Sequence, residues 1–238
     1  MDKLLKPALA ELIGTFLLTF IGAGAGAVAG QSGIGTLGVA IAHGVALMVI
    51  IYALGSISGA HVNPAVTASL ALTGKIGWDR AVAYWVAQFI GAAVAAFLLV
   101  YIVGPSTDIK GLGATVGSLT IADPAKTMVV EAVLTFFLVT AVFASGVANK
   151  NGNLAGVAIG FVLMMDILMG GALTGGSMNP ARTFGPALAT GHLEYFPWYV
   201  VGPVIGGAAA AFLYDRVFIA GEPQPEEKPA PGKNRGKK

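Results

Sequence analysis

The chain has 238 residues, of which 55% are hydrophobic and only 11% are charged, with a formal net charge of +2 and a mean hydropathy of +0.77. A soluble domain carries about 25% charged residues, so this composition excludes an ordinary soluble protein and indicates a membrane-embedded one. Because the sequence contains no cysteine, a disulfide framework and thiol chemistry are excluded as well.

Six apolar stretches are long enough to be membrane-spanning helices, since about 20 residues cross a hydrocarbon core of about 30 Å. In chain order they lie at 7–29, 35–57, 81–104, 126–147, 153–174 and 196–219. Two shorter apolar stretches, 64–74 and 180–190, reach only half-way across, because a helix rises about 1.5 Å per residue. The predicted fold is therefore an all-α membrane bundle of six spanning helices and two half-helices.

The two halves of the chain repeat each other. The triplet Asn-Pro-Ala occurs at 63–65 and again at 179–181, and QFIGAAVAAFLL (88–99) matches PVIGGAAAAFLY (203–214) at seven of twelve positions. Each half has three spans, so the halves face opposite ways and form an inverted repeat with a pathway at mid-membrane. We expect a first repeat at 1–105, an extracellular connecting loop at 106–125, a second repeat at 126–220 and a disordered cytoplasmic tail at 221–238.

Positive charges predict the orientation of the chain in the membrane. With the N-terminus in the cytoplasm, 11 of the 14 lysines and arginines fall on the cytoplasmic side. Both termini are therefore predicted to be cytoplasmic, and we expect an integral protein of the plasma membrane.

Each Asn-Pro-Ala triplet predicts the start of a half-helix, because Asn caps a helix with its side-chain oxygen and Pro fits the first helical position. In inverted halves the two N-termini meet in mid-membrane. The backbone that precedes them is tolerated there only where it lines a water-filled cavity. The predicted pore-lining residues of these segments are Gly59, Ala60, His61, Gly175 and Ser177. Since carboxylates facing lipid are costly, Glu11 and Glu131 are predicted to face inward and hold amides of these segments.

The same arrangement predicts which solutes pass. The side-chain amides of Asn63 and Asn179 can donate to one passing water, which fills both of its lone pairs and interrupts proton transfer along a water chain. Two helix N-termini, each carrying about half a positive charge, repel cations. The sequence thus predicts a passive channel for water and small neutral solutes that excludes protons and ions.

The paired motifs SGAHVNPAVT (58–67) and NPARTFGPAL (179–188) resemble the major intrinsic protein family, the aquaporins and aquaglyceroporins, over residues 5–220. The stretches YWVAQFIGA and YVVGPVIGG resemble its tonoplast (plant vacuolar) branch. The resemblance implies a homotetramer with one pore per subunit and pore motifs at Asn63, Pro64, Ala65, Asn179, Pro180 and Ala181. It also implies that the narrow filter is formed by His43, Ile167, Gly176 and Arg182.

This filter composition resembles that of ammonia-permeable tonoplast members. Thr183 and Ala187 stand where glycerol-conducting members usually carry Asp and a basic residue. Val200, in contrast, stands where water-conducting members usually have Trp. We expect a channel for water and also for ammonia, and a glycerol facilitator is the alternative within the same class.

A coupled secondary transporter is the alternative from another class, because such proteins also combine inverted repeats with half-helices. It would need ion-binding carboxylates at mid-membrane, for which Glu11, Glu131 and Asp166 are the candidates. Asp166 either accepts a hydrogen bond from a neighbouring element or alters the electrostatics of the filter. No enzyme, cofactor, metal or nucleic-acid partner is expected, since cysteine is absent and the three histidines are widely separated. The expected partners are the lipid bilayer, small neutral solutes and further copies of this chain.

Overall fold

The spanning helices of the computed structural model, which describes residues 3–220, agree with the predicted stretches. They are α1 Leu5–Ser32, α2 Gly35–Ser58, α4 Trp78–Val103, α6 Pro124–Val142, α7 Ala155–Thr174 and α9 Trp198–Leu213. The two half-helices are α3 Pro64–Leu72 and α8 Pro180–Thr190. The prediction of an all-α bundle with six spanning helices and two half-helices is confirmed.

The ends of the elements differ in detail from the prediction. A π-helical turn, Phe143–Val147, follows α6, and another, Tyr214–Ile219, follows α9. The segment at 106–125, expected to be a loop, contains a helix α5 at Ser118–Ala122, whose five residues are too few to give a periodic signal. The tail at 221–238, expected to be disordered, lies outside the described residues.

The helices pack in two matching sets that exchange their half-helices. In the first half α1 packs against α4, and in the second half α6 packs against α9 in the same way. The half-helix α3 packs chiefly on α9, whereas α8 packs chiefly on α4, so each half-helix lies on the last span of the other half. This exchange brings the beginnings of α3 and α8 together near the centre of the bundle.

Glycines allow the close helix contacts on which this packing depends. A Cβ atom on Gly91 of α4 would overlap the backbone of α1, and one on Gly206 of α9 would overlap the backbone of α6. Where α2 crosses α7, a Cβ on either Gly44 or Gly160 would lie 2.7 Å from the other residue's carbonyl oxygen. Small residues at membrane helix interfaces let backbones approach in this way.

The outer surface is apolar and the polar side chains lie inside. One face of α4 illustrates the outer surface, with exposed Val82, Val86, Ile90, Val94 and Phe97. The buried polar side chains, in contrast, include both glutamates of the spans and both asparagines of the triplets. A lipid-facing exterior therefore surrounds a polar interior, and the candidate site lies in that interior.

Candidate functional site

Both half-helices begin at their Asn-Pro-Ala triplets. Asn63 has extended backbone geometry and its Oδ1 accepts a hydrogen bond from the Ala65 amide at 2.9 Å. Asn179 caps α8 likewise, its Oδ1 accepting from the Ala181 amide at 3.0 Å. Proline follows each cap at the first helical position, where no backbone donor is lost. The side-chain oxygen of each asparagine is therefore occupied by its own helix.

The side-chain amides of the two asparagines bond across to the other half. Nδ2 of Asn63 donates to the Met178 carbonyl at 2.8 Å, and Nδ2 of Asn179 donates to the Val62 carbonyl, also at 2.8 Å. Since an Asn amide has two hydrogens, one donor remains on each side chain. These reciprocal bonds hold the two half-helix N-termini together, and two unused donors lie at their meeting point.

A buried glutamate holds the segment before each half-helix. Glu11, fully buried, accepts from the Ser58 hydroxyl at 2.6 Å, the His61 amide at 2.9 Å and the Val62 amide at 2.5 Å. Its Oε2 also accepts from Nε2 of Gln88 at 2.8 Å. The carboxylate thus satisfies backbone amides that would otherwise be unpaired within a membrane-spanning bundle.

Glu131 makes the equivalent set of bonds in the second half. It is fully buried and accepts from the Thr174 hydroxyl at 2.6 Å, the Ser177 amide at 3.0 Å and the Met178 amide at 2.7 Å. Tyr199 completes the set by donating to the Thr174 carbonyl at 2.6 Å. The two carboxylates therefore hold the two segments in closely matching ways.

These segments contain backbone geometry that favours glycine. Val62 and Met178, each directly before a capping asparagine, have φ of 43° and 53°. A positive φ in a β-branched residue such as valine is a strained outlier, and it persists only where surrounding bonds enforce it. The glutamate bonds to the amides of these two residues supply that enforcement.

A cavity of about 370 Å³ leads from one end of the bundle to the asparagines and beyond. One end of the cavity, which we call the inner mouth, is lined by residues in or directly beside the short loops at 73–77 and 148–154: Lys75, Ile76, Val147 and Ala155. The cavity passes the capping asparagines and ends at His43 and Arg182. Of the predicted lining residues, Gly59, Ala60, His61 and Ser177 line it.

Gly175, also predicted to line the pore, does not line this cavity. A Cβ atom on Gly175 would lie 2.6 Å from the backbone of Thr115, so this residue instead packs against the connecting segment. With φ of 85°, it also ends α7 in the left-handed conformation that glycine adopts readily. The presence of glycine at position 175 is therefore explained by the end of α7 and by a close backbone contact.

The four predicted filter residues form two contacting pairs. Nδ1 of His43 lies 2.9 Å from the Val39 carbonyl, which can only accept, so this nitrogen carries the proton. Nε2 of His43 then accepts from Nε of Arg182 at 3.2 Å. Nη1 of Arg182 is buried without a hydrogen-bond partner among residues 3–220. The guanidinium group of Arg182, at the end of the cavity, thus has hydrogen-bond donors that no other described residue uses.

Ile167 and Gly176 form the second pair and do not line the cavity. A Cβ atom on Gly176 would lie 3.2 Å from Cα of Ile167, and Ile167 is only 2% exposed. Gly176 has φ of 57°, a conformation that side chains rarely adopt. The small size of Gly176 is therefore explained by backbone geometry and by the neighbouring helix.

Asp166 lies beside Ile167 and is 1% exposed. Its Oδ2 accepts no hydrogen bond from any residue in the described part of the chain. The expected hydrogen bond from a neighbouring element is thus not found at this oxygen. Within the same described residues, no group of three or more His, Asp or Glu could hold a metal ion.

Several functional contacts were missed from the sequence. Tyr84 donates to the Ser58 carbonyl at 2.7 Å, as Tyr199 does to the carbonyl of Thr174, and both tyrosines are buried. The signal was present, since Ser58 and Thr174 are 116 positions apart, the same offset as the two triplets. Extending the repeat beyond the triplets would have identified these residues.

The sequence matches the family model "Major intrinsic protein" over residues 2–214. It is 41% identical over 226 residues to "Aquaporin TIP2-3" of Arabidopsis thaliana, covering 90% of this chain and 88% of the relative. It is 39% identical over 224 residues to "Aquaporin NIP1-1" of Zea mays, covering 92% and 77%. The fold is similar to that of the aquaglyceroporin from Plasmodium falciparum, with a TM-score of 0.78, 24% identity and coverage of 91% and 97%.

Proposed function

Because this chain belongs to the major intrinsic protein family, whose members are membrane channels and not enzymes, we propose that it is a passive water channel that excludes protons and ions. We further propose that it conducts ammonia and other small neutral solutes. The observation that supports this most strongly is the cavity, which runs from the inner mouth past both capping asparagines to His43 and Arg182.

The asparagines account for the passage of water without protons. Each has committed its oxygen to its own helix and one amide hydrogen to the other half, so only a donor is left. A water between the two donors has both lone pairs occupied and cannot accept a proton from the next water. A chain of hydrogen-bonded waters is therefore interrupted at Asn63 and Asn179.

Fixed positive charge accounts for the exclusion of cations. The N-termini of α3 and α8 meet at the asparagines, and each carries about half a positive charge. Arg182 adds a full charge at the end of the cavity, where it is 4% exposed and has no carboxylate within salt-bridge distance among the described residues. A neutral solute meets neither repulsion, whereas an ammonium ion meets both.

The proposal of ammonia conduction rests on His43 and Arg182, at which the cavity ends, and it assigns Ile167 and Gly176, which do not line that cavity, to the narrow passage beyond it. Ile167 and Gly176 provide no side-chain donors, and both nitrogens of His43 are engaged, one with Val39 and one with Arg182. The free donors of Arg182 remain for a small solute that accepts one hydrogen bond. Ammonia has one lone pair, whereas glycerol needs several partners at once, so we propose that the filter favours ammonia over glycerol.

Stopped-flow light scattering on proteoliposomes tests the proposal. We expect osmotic water permeability well above that of empty vesicles, no matching proton current, and vesicle alkalinisation under an ammonium gradient. Folded protein that gives no water permeability above the empty-vesicle background would refute the channel, and a proton current in proportion to the water flux would refute the exclusion mechanism.

A double variant isolates the filter. His43→Phe with Ile167→His rebuilds a narrower opening with an additional donor, so ammonia flux is expected to fall toward the lipid background while water flux persists. Ile167→Leu serves as the control, since it keeps volume and polarity. Equal ammonia flux in wild type and double variant would show that these residues do not set the solute range.

We also propose that the channel is a homotetramer in the plasma membrane, with both termini in the cytoplasm. The charge distribution of the sequence supports the orientation, since 11 of the 14 lysines and arginines fall in segments that are expected to be cytoplasmic if the N-terminus is. Mass measurement of the detergent-solubilised protein would test the tetramer, and immunolabelling of intact and permeabilised source cells would test the location.

A further inference from the structure

The segment that connects the two halves is buried to a degree unusual for a loop. Leu112 is 3% exposed and Thr115 is 2% exposed, although loops generally run over the surface. A Cβ atom on Gly113 would overlap the backbone of α1, and one on Gly117 would overlap the end of α7. The connecting segment therefore reaches into the bundle, close to the residues that precede α8.

Three hydroxyl groups link this segment to the start of α8. Oγ1 of Thr115 donates to Oγ1 of Thr183 at 2.8 Å, and Oγ1 of Thr183 lies 2.5 Å from Oγ of Ser177. Oγ of Ser177 donates to the Asn179 carbonyl at 2.9 Å. Because each hydroxyl has one hydrogen, Thr183 must donate to Ser177, and the chain has a single direction from Thr115 to the helix cap.

This series of hydrogen bonds, from Thr115 to Asn179, spans the helical turn that carries Arg182. Asn179 accepts the last hydrogen bond of the chain and caps α8, and Thr183 directly follows the arginine. The Arg182 amide is itself held by Oδ1 of Asn179 at 3.2 Å, and its side chain is held by His43 through one nitrogen. The position of the guanidinium group therefore depends mainly on where this helical turn is fixed.

The first half of the chain differs at the equivalent point. Thr67 corresponds to Thr183, and its Oγ1 accepts from Nε2 of Gln88 at 3.0 Å, within the bundle itself. In the second half, the position that matches Gln88 in the repeat is Pro203, whose side chain has no hydrogen-bond donor. Thr115 of the connecting segment supplies the missing donor. Among residues 3–220, it is thus the end of the pathway at Arg182 that is tied to a segment outside the repeats.

We propose that Thr183 is a positioning residue of the filter, through which the connecting segment fixes the turn carrying Arg182 and so sets the size limit for neutral solutes. This inference rests on the proposed channel function. It assigns no contact between Thr183 and the solute. Loss of the Thr183 hydroxyl would free the turn without removing any of the four filter side chains.

The test compares Thr183→Val, which keeps shape and removes the hydroxyl, with Thr183→Ser, which retains it. Glycerol and water permeabilities are measured on the same proteoliposomes. We expect the glycerol-to-water ratio to rise roughly three- to tenfold in Thr183→Val, the factor that corresponds to one typical hydrogen bond, and to return toward wild type in Thr183→Ser. A simple loss of folded protein would lower both fluxes together and leave their ratio unchanged.

Thr115→Val tests the connecting segment separately. This variant breaks only the hydrogen bond from Thr115 to Thr183, so we expect the glycerol-to-water ratio to rise again. In the double variant Thr115→Val with Thr183→Val, the ratio should be only slightly higher than in Thr183→Val alone. Thr190→Val is the matched control, because Thr190 is a buried threonine of the same helix that bonds to the Pro186 carbonyl at 2.9 Å. It should leave the ratio unchanged.

The outcomes separate the two proposals. Wild-type protein without water permeability would refute the channel function. If the wild type conducts water in preference to glycerol and folded Thr183→Val has the same glycerol-to-water ratio, the role of Thr183 is overturned while the channel function stands. Should Thr183→Val fail to fold, Thr115→Val decides alone: a raised ratio supports the proposal and an unchanged ratio overturns it.

Discussion

At the scale of single residues, the two buried glutamates do the most to define the pathway. Each satisfies the amides of a segment that cannot be helical, because it must turn into the half-helix in mid-membrane. They also bond the amides of Val62 and Met178, two of the residues that have a positive φ. Of the three carboxylates considered for ion coupling, Glu11 and Glu131 are thus engaged with backbone amides and neighbouring side chains.

Replacing Glu131 should therefore destabilise the fold strongly. Glu131→Ala leaves two buried amides unpaired, each at a cost of about 1–3 kcal/mol, and leaves the Thr174 hydroxyl only the Gly170 carbonyl at 3.4 Å, so the free energy of unfolding should fall by roughly 3 kcal/mol or more. Denaturant unfolding in mild detergent measures this change. Glu131→Gln, which retains one acceptor oxygen, should give an intermediate loss, and equal stability of Ala and Gln variants would contradict the argument.

The cavity lining can be tested with mercurials, because the wild type has no cysteine to react. Gly176 is a poor place for a new cysteine, since its φ of 57° would strain any side chain. Val66 lines the cavity next to the capping Asn63, and cysteine has nearly its volume. Val66→Cys should become sensitive to mercury, with recovery on adding thiol, in stopped-flow water measurements. Val49→Cys, on an exposed face of α2, should stay insensitive.

At the scale of elements, helix contacts repeat between the halves at glycines. A Cβ atom on Gly206 would overlap the backbone of α6, so Gly206→Ala must push α9 away. We expect a loss of about 1–3 kcal/mol, as for other overpacked sites. Thermal unfolding measures it. Gly30→Ala is the control, because a Cβ atom on Gly30 would have no neighbouring atom within 4 Å, and this variant should unfold near the wild-type temperature.

The connecting segment is also tied to the loop after α8, through His192. Its Nε2 lies 3.0 Å from the Thr107 carbonyl and its Nδ1 lies 3.0 Å from Oε1 of Glu194. Both partners only accept, so the two bonds exist together only in the protonated ring. Accordingly, the carbonyl of Thr107 and the carboxylate of Glu194 raise the pKa of His192 above its ordinary value of 6.5, with Asp108 adding to the effect.

This link should make stability depend on pH in a definite direction. Because the folded pKa is raised, the contribution is complete below pH 6.5 and is lost as the pH rises through the folded pKa. Wild type should unfold at a higher temperature than His192→Gln at pH 5.5, and the difference should shrink above pH 8. A difference that is constant over this range would show that the charge of His192 is not involved.

The helices were largely predictable from the sequence, whereas the contacts between them were not. Apolar length and the repeated Asn-Pro-Ala triplets located the spans and both half-helices, because these signals are local in the chain. The helix Ser118–Ala122 was missed because five residues are too short to show a period. The hydroxyl chain from Thr115 to Ser177 was missed because its bonds join residues up to 68 positions apart, which no local pattern reports.

At the scale of the whole molecule, the orientation proposed from the positive charges can be tested by labelling. The chain has no native cysteine, so single introduced cysteines report their side without interference. Lys110→Cys in the connecting segment should react with an impermeant maleimide on intact cells, whereas Asn153→Cys, near the inner mouth, should react only after permeabilisation. Both positions are exposed. The reverse pattern would invert the proposed topology.

The reciprocal asparagine bonds have a consequence for the order of synthesis. Asn63 finds its carbonyl partner at Met178, which the ribosome adds 115 residues later. Until the second half is made, the Asn63 amide lacks this partner and α3 lacks α9, the helix on which it chiefly packs. The first half therefore cannot mature before the second half is inserted, so a nascent chain halted between the repeats is a natural substrate for membrane quality control.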